Sequence, residues 1–240
     1  MLLVLGAEHD ASAHALAAAC DGLLLTPGDL CRSGWVLAED PEEDRLVVAG
    51  RALPAARVEL VVTRLGHVLP EHLPGIRPGD REYVAAEIHA TLFFALCRLS
   101  CPVLNRPTPV CLHGPNWRQE HWLAAARTLG IATRPLVRRG GEPHAPGGPG
   151  GACGGELIGG EVRRVLLVGD AADGPAPLRD CARRLAEHAD CPLLEACFHV
   201  GAGEDAEMAE LVYVSSLPAL DRTLIGLLRQ VTRSAPEAPA

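Results

Sequence analysis

Not one lysine occurs in the 240 residues; all 22 basic side chains are arginine. That absence excludes a Schiff-base nucleophile, a P-loop lysine and an ammonium clamp on a polyphosphate, because a planar, permanently charged guanidinium does not reproduce a compact amine. Aromatic residues are nearly missing too, at 3%, so the core has to be built mainly from Leu, Val and Ala. Positive charge is in deficit: 30 acidic against 22 basic side chains leave a formal charge of −8, which argues against nucleic acid or an anionic membrane as a partner. No apolar run reaches the roughly 18 residues of a membrane span. The opening MLLVLGAEHD has no basic segment and soon turns polar, so it does not read as a signal peptide. Nine cysteines without paired spacing do not form a secreted disulfide framework at this length. A reducing, cytoplasmic setting is expected.

What is present is an ordinary globular composition, 48% hydrophobic and 22% charged, long enough for one large or two small domains. MLLVLG reads as a buried parallel strand. AHALAAAC, with Ser12 as a candidate cap, reads as a helix and GLLLTP as the next strand, a β-α-β opening. Residues 35–64 hold three strand-like pieces, WVLAED, RLVVAGRAL and RVELVVTRL, that suggest a hairpin or meander. Asp80 is expected to cap a long helix in which Tyr83, Glu87, Thr91 and Phe94 recur at helical spacing. PVLN is strand-like, and NWRQEHWLAAARTLG is a helix ended by Gly130. Residues 138–160 are dominated by Gly and Pro and read as a linker. Beyond it come RRVLLVGD (strand), PLRDCARRLAEH (helix), PLLEACFHV and ELVYVSSLP (strands), DRTLIGLLRQVTR (helix) and a frayed tail from residue 234.

In order and in phrase, these pieces resemble the ATP-grasp superfamily, near the ligases that modify ribosomal protein S6 and peptides. The first 137 residues resemble its pre-ATP-grasp domain: the β-α-β opening, VVTR with Arg64, the Y-x-x-x-E of Tyr83 and Glu87, then PVLNRP. Trp122 to Pro135, W-x-x-A-A-x-x-x-G-I-A-T-R-P, resembles the entry into the ATP-grasp lobes. The stretch from VLLVGD to SSLPAL resembles the end of the second lobe. About three quarters of the chain is covered. The resemblance implies an α/β protein, a Rossmann-like domain over 1–137 followed by a reduced α+β remnant over 161–233. It also implies the family's chemistry, in which ATP phosphorylates a carboxylate and an amine captures the acyl phosphate.

Three departures point away from that chemistry. The phosphate-binding lysines have no counterpart; the loop in the 102–122 stretch carries Asn116, Trp117 and Arg118. A short linker stands where the resemblance implies the small, nucleotide-covering lobe. The closing E-x-N-x-x-P falls on Tyr213, Val214, Ser215 and Pro218, and the earlier metal-binding Asp falls near Cys197, so the Mg²⁺ ligands are replaced. The expectation is a noncatalytic partner that presents a groove to a ligase, a precursor peptide or a small acid, with no cofactor of its own, alone or as an oligomer. One rival is a ligase with a minimal, rebuilt ATP and Mg²⁺ site using the arginine cluster and acids such as Asp170, Glu195 and Asp205; another is a metal-binding or metal-delivery protein using Cys97, Cys101, Cys111 and His113.

Candidate ligand residues are Arg64, Tyr83, Glu87, Asn105, Arg106 and Asn116, with Arg138 and Arg139 beside the linker. Arg64 and Glu87 with Tyr83 and Asn105 would either bind a ligand or pin the helix to the sheet. Arg134, Arg163 and Arg164 extend the arginine group, which would hold phosphate or acidic peptide or be merely solvated. Cys97, Cys101, Cys111 and His113 have the residue types of a zinc site, though buried Cys is also a common core residue. Glu8, His9, Asp10 and His14 follow the first strand, where acid–base work competes with a plain helix cap. Cys153 is the expected exposed thiol, with no base beside it.

Overall fold

The first strand, β1 (Leu2–Leu5), is buried along its whole length, as its unbroken apolar run requires. Gly6 follows because the chain turns tightly into helix α1 (Ala11–Ala19): a Cβ at residue 6 would fall 2.5 Å from that of Ala13. The cap is Asp10 rather than Ser12. Its carboxylate accepts from the Ser12 and Ala13 amides at 2.9 and 3.1 Å, satisfying free helix donors that a residue inside the helix cannot reach. Strand β2 (Leu23–Leu25) returns parallel to β1, and a one-turn helix α2 (Pro27–Leu30) is closed by Thr26 and the buried Asp29.

The computed structural model describes residues 1–134, 160–201 and 209–234. The Gly- and Pro-rich segment with Arg138, Arg139 and Cys153, the loop with Asp205, and the tail from residue 235 lie outside the described residues. Two compact units are present: residues 1–116 together with the end of the chain from Leu228, and residues 117–227.

In the first unit β3 (Arg45–Val48) and β4 (Arg51–Pro54) form the expected hairpin. The third piece leaves it: β5 (Leu60–Thr63) pairs in parallel with β1, and WVLAED contributes only an isolated bridge, Val36 to Arg45. Long-range burial decides this, because Leu60–Thr63 is apolar on both faces and fits a central parallel strand better than a hairpin edge. With β6 (Val103–Leu104) the sheet order is β2-β1-β5-β6. Helix α3 (Arg81–Arg98) packs Ala85, Ile88, Leu92, Ala95 and Leu96 inward. Its start lies at Asp80, whose side chain makes no capping hydrogen bond. Asp44, buried, accepts from Arg98 Nε at 2.8 Å and from the Ala38 amide at 2.8 Å, tying the hairpin entry to the end of α3.

The second unit is an antiparallel sheet, β7 (Glu161–Val168), β8 (Ala171–Asp173), β9 (Leu193–Val200) and β10 (Ala209–Ser215), in the order β10-β9-β7-β8. Helices α4 (Gln119–Thr128) and α5 (Ala176–His188) supply Trp122, Leu123, Ala182 and Leu185 to its core, facing Val165, Leu167, Leu194, Ala196 and Phe198. Helix α4 therefore groups with the second unit, not with the first 137 residues, because Trp122 is buried in that core. The edge of β10 is covered: Gln119 receives the Val214 amide at 3.1 Å and donates back to its carbonyl, while Thr133 bridges Leu211. Helix α6 (Arg222–Ser234) follows.

Candidate functional site

At the carboxyl edge of the parallel sheet, β5 delivers Thr63 and Arg64, and the β1–α1 turn delivers Glu8, His9 and Asp10. Arg64 pairs with Asp10, Nε to Oδ2 3.4 Å, and not with Glu87. Tyr83 and Glu87 stand on the solvent side of α3, Tyr83 at 70% exposure, because α3 turns its apolar positions and not that row toward the sheet. Asn105 is 1% exposed at φ +61°, a backbone state that Asn tolerates better than most residues. Gly114 at φ +91° lies against it, where a Cβ would come within 2.7 Å of the Asn105 Cβ. The Asn of PVLN thus has a backbone reason to be there. Arg106 and Asn116 are exposed. Exposed Glu8 and His14 meet through His14 Nε2 and the Glu8 carbonyl at 2.9 Å. His9 is exposed.

The four zinc candidates are not brought together. Cys97 faces solvent on α3, Cys101 is in the core, and Cys111 and His113 flank Gly66. Among the described residues no group of three or more His, Cys, Asp or Glu side chains could hold a metal. Burial keeps His113 below the ordinary histidine range, and the nearby His67 and Arg64 act in the same direction. Burial likewise lowers His89, which stacks on His67 at 5.8 Å. Trp117, from the loop that carries no lysine, packs against Trp122 at 4.7 Å and edge-on to His188 at 6.2 Å.

The second unit has a polar face opposite its core. Register places Arg164 of β7 opposite Cys197 of β9, and Cys197 opposite Tyr213 of β10; Ser215 lies opposite Glu195. Of these, Cys197, Tyr213 and Ser215 are the positions that the sequence resemblance matches to metal ligands, and the sheet gathers them in adjoining rows. Glu195 is 5% exposed and Cys197 1%. Arg164 holds Glu195, Nε to Oε1 3.2 Å, and also Asp221. The Ala219 amide gives Glu195 Oε2 a further contact at 3.3 Å, and the Leu224 amide gives Asp221 Oδ1 one at 2.8 Å. Burial alone would raise the Asp221 carboxyl, but the Leu224 amide and Arg164 outweigh it and hold it below its usual range. Burial pushes Tyr213 upward, and Glu195 and Cys197 add to that. Asp221 was missed in the sequence, where it reads only as the first residue of the last helical segment.

Two more arginines of that group are also engaged. Arg134 pairs with Glu210 at 3.3 Å and Arg163 with Glu161 at 2.7 Å, so the arginines described around the linker do not form one free cationic patch. Asp170 lies elsewhere, beside Arg183, Glu187 and Asp190 in a cleft of about 440 Å³.

No family model matches the chain, and no curated protein does. Solved structures do. An ATP-grasp ligase associated with ribosomal peptide products (RiPPs) from Chryseobacterium gregarium, in complex with ADP and a leader and core peptide, matches with a TM-score of 0.65 at 10% identity, over 100% of this chain and 98% of that one. ATP-grasp ligase PsnB, complexed with a minimal precursor, Mg and ADP, gives 0.64 at 14%, over 98% and 97%. Macrocyclase MdnC from Microcystis aeruginosa MRC, bound to precursor peptide MdnA, gives 0.63 at 11%, over 96% and 98%. The fold is therefore that of the ATP-grasp ligases, a parallel α/β sheet plus an antiparallel one. Each of the three structures just named holds a peptide or precursor, and the likeness runs the length of both chains.

Mg²⁺ is a hard cation that requires free oxygen ligands. The donor set on the polar face, a thiol, a phenol and a hydroxyl beside carboxylates already bound to a guanidinium, does not fit it. No helix among the described residues is long and apolar enough to cross a membrane.

Proposed function

We propose that this chain is a noncatalytic ATP-grasp-fold protein that acts through a protein or peptide partner in a peptide-modifying system. The observation that carries the reading is the row Arg164, Cys197 and Tyr213 on the antiparallel sheet. Carboxylates are missing from the matched positions, and the neighbouring Glu195 is held by Arg164. With no lysine in the chain, a triphosphate has neither ammonium nor bridging metal to balance its charge. The solved relatives carry precursor peptides, which supports a peptide or a peptide-handling ligase as the partner class. The second unit would be a reduced form of the second lobe.

Isothermal titration with Mg-ATP is expected to give no heat of binding; micromolar affinity would reject the proposal. The rival, a ligase with a rebuilt site, calls for ADP release when a carboxylate and an amine are supplied. The engagement of Glu195 by Arg164 weighs against it. Co-purification of the tagged chain with a peptide ligase or its precursor is the positive result expected.

A further inference from the structure

We propose that the Arg164 guanidinium is a built-in replacement for a divalent cation, bridging Glu195 and Asp221 so that this face is closed to metal ions. The inference rests on the noncatalytic reading and gives it a physical cause. A cation shared by two carboxylates on a sheet floor is how a divalent ion is ordinarily held. Here the shared cation is part of the chain. Its planar fork reaches Glu195 through Nε at 3.2 Å and Nη2 at 3.4 Å, and Asp221 through Nη1.

The acids are fixed from the other side as well. Ala219 N donates to Glu195 Oε2 and Leu224 N to Asp221 Oδ1, so a metal ion would have to displace partners from both acids. A metal ion entering from solvent would compete with a tethered cation, whose effective concentration is far higher than that of free Mg²⁺. Guanidinium cannot escape by losing a proton, as an amine or imidazole would. Register puts this cation directly opposite Cys197, the position matched to a lost metal ligand. The substituted ligand position and the arginine thus lie on one row.

The test uses Mn²⁺ alone as probe, following the free-ion EPR signal and the melting temperature of the full chain. Wild type is expected to leave Mn²⁺ free up to millimolar concentrations and to melt identically with and without it. R164Q strands two acids. Its melting temperature should fall by roughly 5–10 °C, and Mn²⁺ should raise it again. R164Q/E195Q removes charge from both sides and should recover most of the loss while ignoring Mn²⁺. Stoichiometric Mn²⁺ uptake by wild type that E195Q abolishes would overturn the proposal, as would an R164Q chain indistinguishable from wild type. If R164Q does not fold, the double variant decides: folded and metal-indifferent supports the assignment, unfolded as well refutes it. Binding of Mg-ATP while Mn²⁺ alone stays free would reject the noncatalytic reading but leave Arg164 as assigned. Mn²⁺ uptake without nucleotide binding would do the reverse.

Discussion

Putting a carboxylate back at residue 197 is the most direct perturbation of the polar face. Cys197 is 1% exposed, its Sγ is 4.0 Å from Glu195 Oε1, and its cross-strand neighbours are Arg164 and Tyr213. In C197D the new acid would find its natural counter-ion already shared by Glu195 and Asp221, so one guanidinium would face three carboxylates. A buried charge in that position costs on the order of 3 kcal/mol after relaxation, a loss of roughly 10 °C in melting temperature for a chain of this size. The asparagine control, C197N, carries the same bulk without charge and isolates the electrostatic part. Burial beside Glu195 should lift the introduced carboxyl above its unfolded value, so the penalty is full at neutral pH and shrinks as acid protonates the group in the folded chain. Thermal melts of the two variants from pH 5 to pH 8 should therefore diverge as pH rises. Equal melting at pH 7.5, or recovery of C197D by Mg²⁺ alone, would show that the face has a cation or solvent to spare and would refute the argument.

Two further outcomes follow from the first unit and from cysteine burial. His89 and His113 are held below the ordinary value of 6.5, mainly by burial, so the unfolded chain takes up protons more readily. Stability should be complete above about pH 6.5 and be lost as pH falls through the folded values; H89N/H113N should flatten that dependence in pH-resolved melts, and an unchanged slope would count against it. A thiol reagent should label Cys31 and Cys97 quickly in the native protein, since both are exposed, while Cys101, Cys111, Cys191 and Cys197 react only on unfolding. Fast labelling of Cys111 would mean that the loop over Gly66 opens.

Much of the fold is legible because its signals are local. The apolar run of β1, the Pro after β2, the Gly130 stop behind α4 at φ +71° and the alternation in β9 and β10 each name an element from a few neighbouring residues. Where the reading slipped, the deciding contact lay far away in sequence. Residues 60–63 look like the last strand of a meander but join β1, more than fifty positions earlier. Tyr83 and Glu87 look like a paired site yet face outward, because the apolar positions of α3 set its rotation. Position 10 and position 12 offer equivalent capping chemistry in sequence, and only the start of the helix chooses Asp10.

By itself the sequence determined most of the elements, their order, the resemblance and the missing chemistry: no lysine ammonium anywhere, and thiol, phenol and hydroxyl at the matched ligand positions. Tertiary structure alone decided which charges meet. Arg164, Glu195 and Asp221 are 31 and 26 residues apart along the chain, and no periodicity links them. Their union depends on strand register, β7 against β9, and on the turn after β10 that carries Asp221 back to the sheet. Coulomb attraction falls off over a few ångströms, and sequence spacing does not report distance on that scale.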